Sequence, residues 1–315
     1  SNVLTEQIVG FYDTETKDIT IVGGTMDEIT MAHEITHGLQ DQNFDLEKPP
    51  LDNEEYNGDN DLAVTSLVEG DAMVTMLDYA LEYIDVEKLT EAELAESGTS
   101  SEELDKAPAY IRESLLFPYE EGMNFVEQLK KSRELAGVDA AFRDPPLSTE
   151  QIIHPDKYLK KRDDPRPVPL PDISGALGPK WKLINSDCMG EFDVRVWFDE
   201  YDGLITAKDA AAGWGGNTIQ YYQGPGKDNV VVNMFAWDAP GDAQEFFNAY
   251  AKLIEKRFKK KAEKVGGAEG WYLYEANGEL FYCGITGDST LCVQAPDQET
   301  LQKVLNNYPQ FQRPA

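Results

Sequence analysis

The sequence has few basic residues, and no long apolar run. Its 28 Lys and Arg residues are outnumbered by 58 Asp and Glu residues, which gives a net charge of −30. Proteins that bind nucleic acids or anionic membrane surfaces need a basic face, so both classes are excluded. No segment approaches the roughly 18 to 20 consecutive apolar residues of a membrane-spanning helix. The sequence therefore predicts neither a nucleic-acid partner nor a transmembrane segment.

Cysteine is also scarce: three residues are too few for a disulfide scaffold, and no CxxC metal motif is present. Cys283 and Cys292 flank two glycines in a pattern typical of a β-hairpin, so we expect their thiols to face each other. Two alternatives follow. A disulfide would indicate an oxidising, extracytoplasmic compartment, whereas two small buried thiols would indicate packing alone. The chain begins at Ser1 rather than Met, which indicates a processed or truncated product.

The acidic residues are distributed unevenly along the chain. Residues 1–165 hold 38 acidic and 13 basic side chains, a charge of −25, whereas the remainder holds 20 and 15, a charge of −5. A proline-rich stretch follows this change of composition. We therefore predict two domains, 1–165 and 181–315, joined by an extended connector at 166–180.

Hydrophobic periodicity predicts an α+β protein. A β-hairpin is expected at 8–22, and Thr25 with Glu28 forms a capping box that begins the first helix. Residues 85–106 are rich in Ser and Glu and predict an exposed insertion. In the second domain, alternating patterns predict an antiparallel sheet with helices on one face. The further helices predicted in the first domain are 61–84, roughly 119–135, and a short helix that Ser148 caps and Pro155 ends.

The first predicted helix carries the motif HExxH as His33-Glu34-Ile35-Thr36-His37. Positions i and i+4 differ by about 40° around an α-helix, so both imidazoles project from one face and are able to share a metal ion. The chain has 3 histidines in all, and two of them fall at this spacing. The motif therefore predicts a metal site, with Glu34 as the general base. The alternative is a solvated helix with two unrelated histidines.

A catalytic zinc ion held by two histidines needs a third protein ligand and an open position for water. Gln40 and Asn43 stand where the HExxHxxGxxH pattern has its glycine and its third histidine, so the chain is not a metzincin. On the second long helix, Glu69 falls in the middle of an apolar stripe, whereas Asp71 points away. Since a carboxylate on a core-facing stripe needs a partner or a metal, Glu69 is the predicted third ligand. A buried salt bridge is the alternative.

His33, Glu34 and His37, followed by Glu69 in VEGDA, resemble the gluzincin type of zinc metallopeptidase. More closely, AHEITHGLQDQNFDL, LVEGDAM, PPLSTEQIIHPDKY and AAAGWGGN resemble a little-characterised group of bacterial metallopeptidases. The resemblance implies a mostly helical zincin-like N-terminal domain and one Zn²⁺ per chain. It also implies a substrate strand beside the hairpin, a peptide or protein substrate, and a secreted or cell-envelope location. The second, smaller α+β domain would be an accessory.

Two features remain to be assigned. In the family pattern, an Asp four residues after the ligand Glu orients a metal-binding histidine, but here that position is Met73. Asp41 is a candidate to take this role, and the alternative is that Asp41 is a solvent-exposed side chain. His154 and Tyr158 are candidates to stabilise the oxyanion, or they pack a turn.

The predicted function is zinc-dependent hydrolysis of peptide bonds, in which Glu34 takes a proton from the attacking water. The first alternative is a catalytically inactive zincin-like binding protein with a structural or vestigial zinc site. The second is a metal-free acidic surface protein whose HExxH is accidental. The sequence does not indicate the cleavage preference or the oligomeric state.

Overall fold

A computed structural model describes residues 10–22, 26–53, 56–84, 104, 106–133, 135–259, 263–268 and 270–311. The chain divides into two compact units, Ser1–Asp163 and Asp164–Ala315. The elements of the first unit are β1 (Gly10–Asp13), β2 (Asp18–Ile21), α1 (Glu28–Phe44), α2 (Gly58–Tyr83), α3 (Ala109–Arg133), α4 (Leu135–Arg143), α5 (Thr149–Ile153) and α6 (Asp156–Leu159).

The second unit combines helices with a sheet of seven strands. Its elements are α7 (Ser174–Leu177), β3 (Lys182–Asp187), α8 (Glu191–Asp202), α9 (Leu204–Ala211), β4 (Trp214–Gln223), β5 (Asn229–Trp237), α10 (Pro240–Phe258), β6 (Glu263–Ala268), β7 (Trp271–Ala276), β8 (Glu279–Thr286), β9 (Ser289–Ala295) and α11 (Gln298–Leu305). The α+β prediction is confirmed. Among the described helices, none is both long enough and apolar enough to cross a membrane.

The hairpin and the first long helix form as the sequence predicts, but the N-cap of α1 lies two residues later than the predicted cap, Thr25. Asp27 is the N-cap, and its carboxylate accepts hydrogen bonds from the backbone N–H groups of Ile29 and Thr30. Thr25 lies outside the described residues, as does nearly all of the insertion predicted at 85–106. Helix α2 begins at Gly58, because Asn57 and Asn60 form a reciprocal capping box.

Helix α3 is longer than predicted. The expected start was near residue 119, but the helix runs from Ala109 to Arg133 with Pro118 inside it. Packing overrides the lost hydrogen bond, since Phe117, Phe125 and Leu129 along this helix are buried. Ser148 caps α5, as predicted.

The seven strands have the order β3-β4-β5-β9-β8-β7-β6, and every neighbouring pair is antiparallel. The prediction that helices cover one face is wrong, because apolar residues alternate to both faces of the central strands. Phe235 and Trp237 of β5 pack in one core with α8 to α10, whereas Val230 and Val232 pack in another with α7 and α11.

Residues 166–180, predicted as an extended connector, are packed into the second unit. Ile173 and Leu177 are buried in its core, and the N–H of Arg166 donates to the carbonyl oxygen of Gly215 at 2.7 Å. Gly216 has a φ of +153°, and a β-carbon there would overlap the Arg166 carbonyl oxygen. Glycine at this position of β4 therefore serves packing against Arg166.

Cys283 and Cys292 are directly opposite each other on β8 and β9, which confirms the predicted hairpin. Both are free thiols buried in the core, with their sulfur atoms 3.2 Å apart.

Candidate metal centre

Helix α1 presents two adjacent stripes of polar side chains to its neighbours. His33, His37 and Gln40 follow each other at spacings of four and three residues and face α2. Glu34 and Asp41 lie on the next stripe and face the β1–β2 hairpin. All five belong to one helix of 17 residues, so their relative positions are fixed by helical geometry.

Glu69 of α2 meets both histidines, as the sequence predicts. The Nε2 atoms of His33 and His37 are 3.0 Å apart, and Glu69 Oε2 lies 3.2 Å from the first and 3.5 Å from the second. Among the described residues, this is the group of three with donor atoms close enough to hold a metal ion.

The spacing of these donor atoms fits a tetrahedral ion. Zinc binds imidazole nitrogen and carboxylate oxygen at about 2.0–2.2 Å, and neighbouring ligands of a tetrahedral ion are then about 3.3–3.5 Å apart. The observed separations of 3.0, 3.2 and 3.5 Å are close to this value. Two nitrogens and one oxygen also form the donor set of a catalytic zinc site with one position left for water.

Glu69 lies beside the two histidines as predicted, but it is not in the middle of the buried face of α2. Its side chain remains 20 % exposed, and nearby Met73 and Met76 are only half-buried. The most buried side of α2 contains Ala63, Leu67 and Gly70 instead. Burial raises the pKa of Glu69, but hydrogen bonds from His33 and His37 outweigh it and hold the pKa at about 2. Glu69 is therefore ionised and available as a ligand.

His37 is oriented by Gln40. The Gln40 amide nitrogen donates to the Val68 carbonyl oxygen at 3.0 Å and to Asp71 Oδ2 at 2.9 Å, and both partners are acceptors. The Gln40 oxygen therefore points to Nδ1 of His37, 2.9 Å away, and must accept its proton. In the neutral ring, the lone pair of Nε2 is then left for an ion. His33 Nδ1 is buried and has no hydrogen-bond partner among the described residues.

This arrangement corrects two predictions. Asp41 does not orient a histidine, because its carboxylate binds Tyr12 and Lys17 of the hairpin instead. Asp71 does not point away from α1, because it anchors Gln40. Burial raises the pKa of Asp71, and the Gln40 hydrogen bond opposes that shift. In the sequence, Gln40 is distinguished only as the residue that replaces the glycine of the HExxHxxGxxH pattern.

Glu34 is buried beside the histidines and below the hairpin. Its Oε2 accepts a hydrogen bond from the backbone N–H of Tyr12 at 2.8 Å. Burial raises the pKa of Glu34 above its ordinary value, against the opposing influence of His33 and His37. A carboxylate shifted in this direction is a better proton acceptor than an exposed one.

Tyr119 of α3 was missed by the sequence analysis. Its ring lies beside that of His33, with centroids 6.3 Å apart, and its hydroxyl is near enough to Glu69 to feel the charge of that carboxylate. Burial and the charges of Glu69 and Glu34 raise the pKa of Tyr119, so its hydroxyl stays protonated. No spacing rule connects α3 to the motif. The one available signal was Gly122 one turn later, because a glycine inside a helix often marks a close approach.

The two residues predicted to stabilise an oxyanion have other described contacts. The Tyr158 hydroxyl donates to the Asp144 carbonyl oxygen at 2.8 Å, and its ring packs edge-on against Phe125. His154 is the C-cap of α5, and its N–H donates to the Glu150 carbonyl oxygen at 2.8 Å. These contacts support the packing alternative, and they make Tyr119 the better candidate for a donor at the metal centre.

A family model described as a domain of unknown function (DUF8575) matches residues 182–305. These residues run from the start of β3 to the end of α11, so the match lies in the second unit. The chain matches no curated protein and no solved structure. The group of His33, His37 and Glu69 lies in the first unit, so its assignment as a candidate metal site depends on its own geometry.

Proposed function

We propose that the chain is a zinc-dependent peptidase in which His33, His37 and Glu69 hold one zinc ion. The observation that carries this proposal is the close triangle of two imidazole nitrogens and one carboxylate oxygen, with Glu34 on the adjoining stripe of the same helix. The resemblance to gluzincins supports the same assignment. A zinc ion held there supplies a Lewis acid that polarises a carbonyl group and lowers the pKa of water to about 7.

The side chains around this position have separate roles in hydrolysis. Glu34 takes a proton from the attacking water and returns it to the leaving amine. The protonated hydroxyl of Tyr119 donates a hydrogen bond to the oxyanion that develops on the substrate carbonyl. Gln40 keeps His37 in the tautomer that a metal ligand needs.

The test separates metal binding from catalysis. Zinc content and cleavage of an unfolded protein substrate such as casein are measured for the wild type and for His33→Ala, Glu34→Gln and Glu47→Gln. We expect about one zinc per chain in all except His33→Ala. Glu34→Gln should lose about 10²- to 10⁴-fold in rate, because it keeps the fold but removes the base. Glu47 is exposed, so its variant should match the wild type.

Two results would contradict the proposal. Full activity in Glu34→Gln would remove the general base from the mechanism. Zinc bound at the predicted stoichiometry, with no cleavage of casein or of a mixed peptide library, would favour a zincin-like binding protein without catalytic activity.

A further inference from the structure

One residue of the hairpin, Tyr12, is hydrogen-bonded to α1 at two places. Its backbone N–H donates to Glu34 Oε2 at 2.8 Å, and its hydroxyl donates to Asp41 Oδ2 at 2.7 Å. Gly38 lies between these two partners on the same stripe of the helix, and a β-carbon there would be 3.4 Å from the Tyr12 ring. Tyr12 thus lies along α1 for two turns, and the missing side chain of Gly38 leaves room for its ring.

Asp41 binds the hairpin through both its strand and its turn. Its side chain is only 3 % exposed, and its Oδ2 accepts from the Tyr12 hydroxyl and from the Lys17 ammonium, each at 2.7 Å. Lys17 ends the turn with a φ of 60°, where its own N–H donates to the Asp13 carbonyl oxygen at 2.8 Å. The other oxygen of Asp41 accepts from the N–H of Leu46 at 3.2 Å. A buried carboxylate with these three partners holds each of them in place.

This arrangement controls the orientation of Glu34. The Tyr12 N–H points away from β2 and towards the Glu34 carboxylate. The position of the hairpin on α1 therefore determines where that N–H lies. A misplacement of about 1 Å in a reacting group can cost about 100-fold in rate. Asp41 itself does not contact the metal-binding group through any of these bonds, so its influence on the base passes through Tyr12.

We propose that Asp41 is a positioning residue, which acts through Tyr12 to hold one oxygen of Glu34 and leave the other free to take the proton of the attacking water. This inference rests on the proposed function for the role of Glu34. We use the word clamp for the hydrogen bonds that join Tyr12 of the hairpin to Glu34 and Asp41 of α1. The clamp is supported by these bonds and does not depend on the proposed function.

The first experiment is a double-mutant cycle in the zinc-loaded protein, with Tyr12→Phe, Asp41→Ala and both changes together. Each single variant should keep one zinc per chain, lower kcat by about 10-fold or more, and change KM less than 2-fold. Because both changes break the same hydrogen bond, the double variant should be little slower than the slower single variant. Tyr12→Phe keeps the ring, so it tests the idea even if Asp41→Ala folds poorly.

The second experiment needs no activity. Hydrogen exchange is followed at the amides of residues 10–21 in the same variants, and exchange at the Tyr12 amide should accelerate in both singles. The control is Thr149→Val in the same unit. This change removes the buried hydrogen bond of 2.5 Å from the Thr149 hydroxyl to Asp59 Oδ1. It should lower stability while leaving both kcat and hairpin exchange unchanged.

The outcomes are distinguishable. Wild-type kcat together with wild-type hairpin exchange in both single variants would overturn the inference, and so would an equal loss of kcat in Thr149→Val. If the wild type binds zinc but cleaves nothing, only the proposed function fails. Faster hairpin exchange in the two single variants would then still support the clamp, and unchanged exchange would overturn it.

Discussion

Gly70 of α2 and Gly122 of α3 touch through their backbones. A β-carbon at Gly70 would overlap the carbonyl group of Gly122, and one at Gly122 would overlap the carbonyl oxygen of Ser66. Glu69 directly precedes Gly70, and Tyr119 lies one turn before Gly122. The close crossing of the two helices therefore places Tyr119 near enough to Glu69 for the carboxylate charge to raise the pKa of the tyrosine.

Replacing either glycine by alanine should be strongly destabilising. The added methyl group meets backbone, which cannot rotate away, so Gly122→Ala should lower the free energy of unfolding by about 3 kcal/mol. The measurement is urea denaturation. Gly241→Ala is the control, because nothing lies within 4 Å of a β-carbon at that helical position. It should be neutral or stabilise by up to about 1 kcal/mol. Equal effects of the two changes would refute the close crossing.

Removing the Gln40 amide should weaken zinc binding. Gln40→Ala leaves Nδ1 of His37 without its acceptor and leaves Asp71 without its donor, so we expect a 10- to 100-fold loss of affinity. Competition with a chromophoric chelator measures it. Asn43→Ala, which removes an exposed side chain from the same helix, should bind zinc like the wild type. Unchanged affinity in Gln40→Ala would show that His37 does not depend on this bond.

Tyr119→Phe and Tyr158→Phe form a matched pair that decides which hydroxyl serves the reaction. Loss of an oxyanion donor costs about 10²- to 10³-fold in kcat, and we expect that loss in Tyr119→Phe with zinc content retained. Tyr158→Phe removes a bond to the Asp144 carbonyl oxygen and should affect stability alone. The reverse result would restore the assignment made from the sequence.

The contribution of Asp41 to stability should depend on pH. Burial raises the pKa of its carboxyl, but the hydrogen bonds from Lys17 and Tyr12 outweigh it and hold the pKa below its ordinary value. A carboxyl with a lowered pKa stabilises the folded state above about pH 4, and this contribution is lost as the pH falls further. The gap in urea midpoint between wild type and Asp41→Asn, measured from about pH 7 down to about pH 3, should therefore narrow below about pH 4.

Val126→Ala is the control for that experiment. Val126 is fully buried, and its loss leaves a cavity without changing a titrating group. The difference in urea midpoint between Val126→Ala and the wild type should stay nearly constant over the same pH range. A narrowing as large as that of Asp41→Asn would assign the effect to acid unfolding in general.

Local sequence was sufficient for features that one element controls. The HExxH spacing places His33 and His37 on one face of α1 because a helix turns every 3.6 residues. The β1–β2 hairpin, the cap at Ser148 and the facing pair of Cys283 and Cys292 also follow from short-range patterns. Sequence failed at Pro118, where packing along α3 outweighs a local helix breaker.

By itself, the sequence determined the α+β class and the long helix with its two histidines, and it selected Glu69 as the carboxylate that lies beside them. These follow from periodicity and from the cost of an unpaired buried charge. Only the tertiary structure decided that Gln40 and Asp71 orient His37, that Tyr119 lies beside His33, and that Asp41 binds the hairpin. Each of these contacts joins elements that are distant in sequence. Their partners are set by how the helices and the hairpin pack, and no single-element pattern encodes that packing.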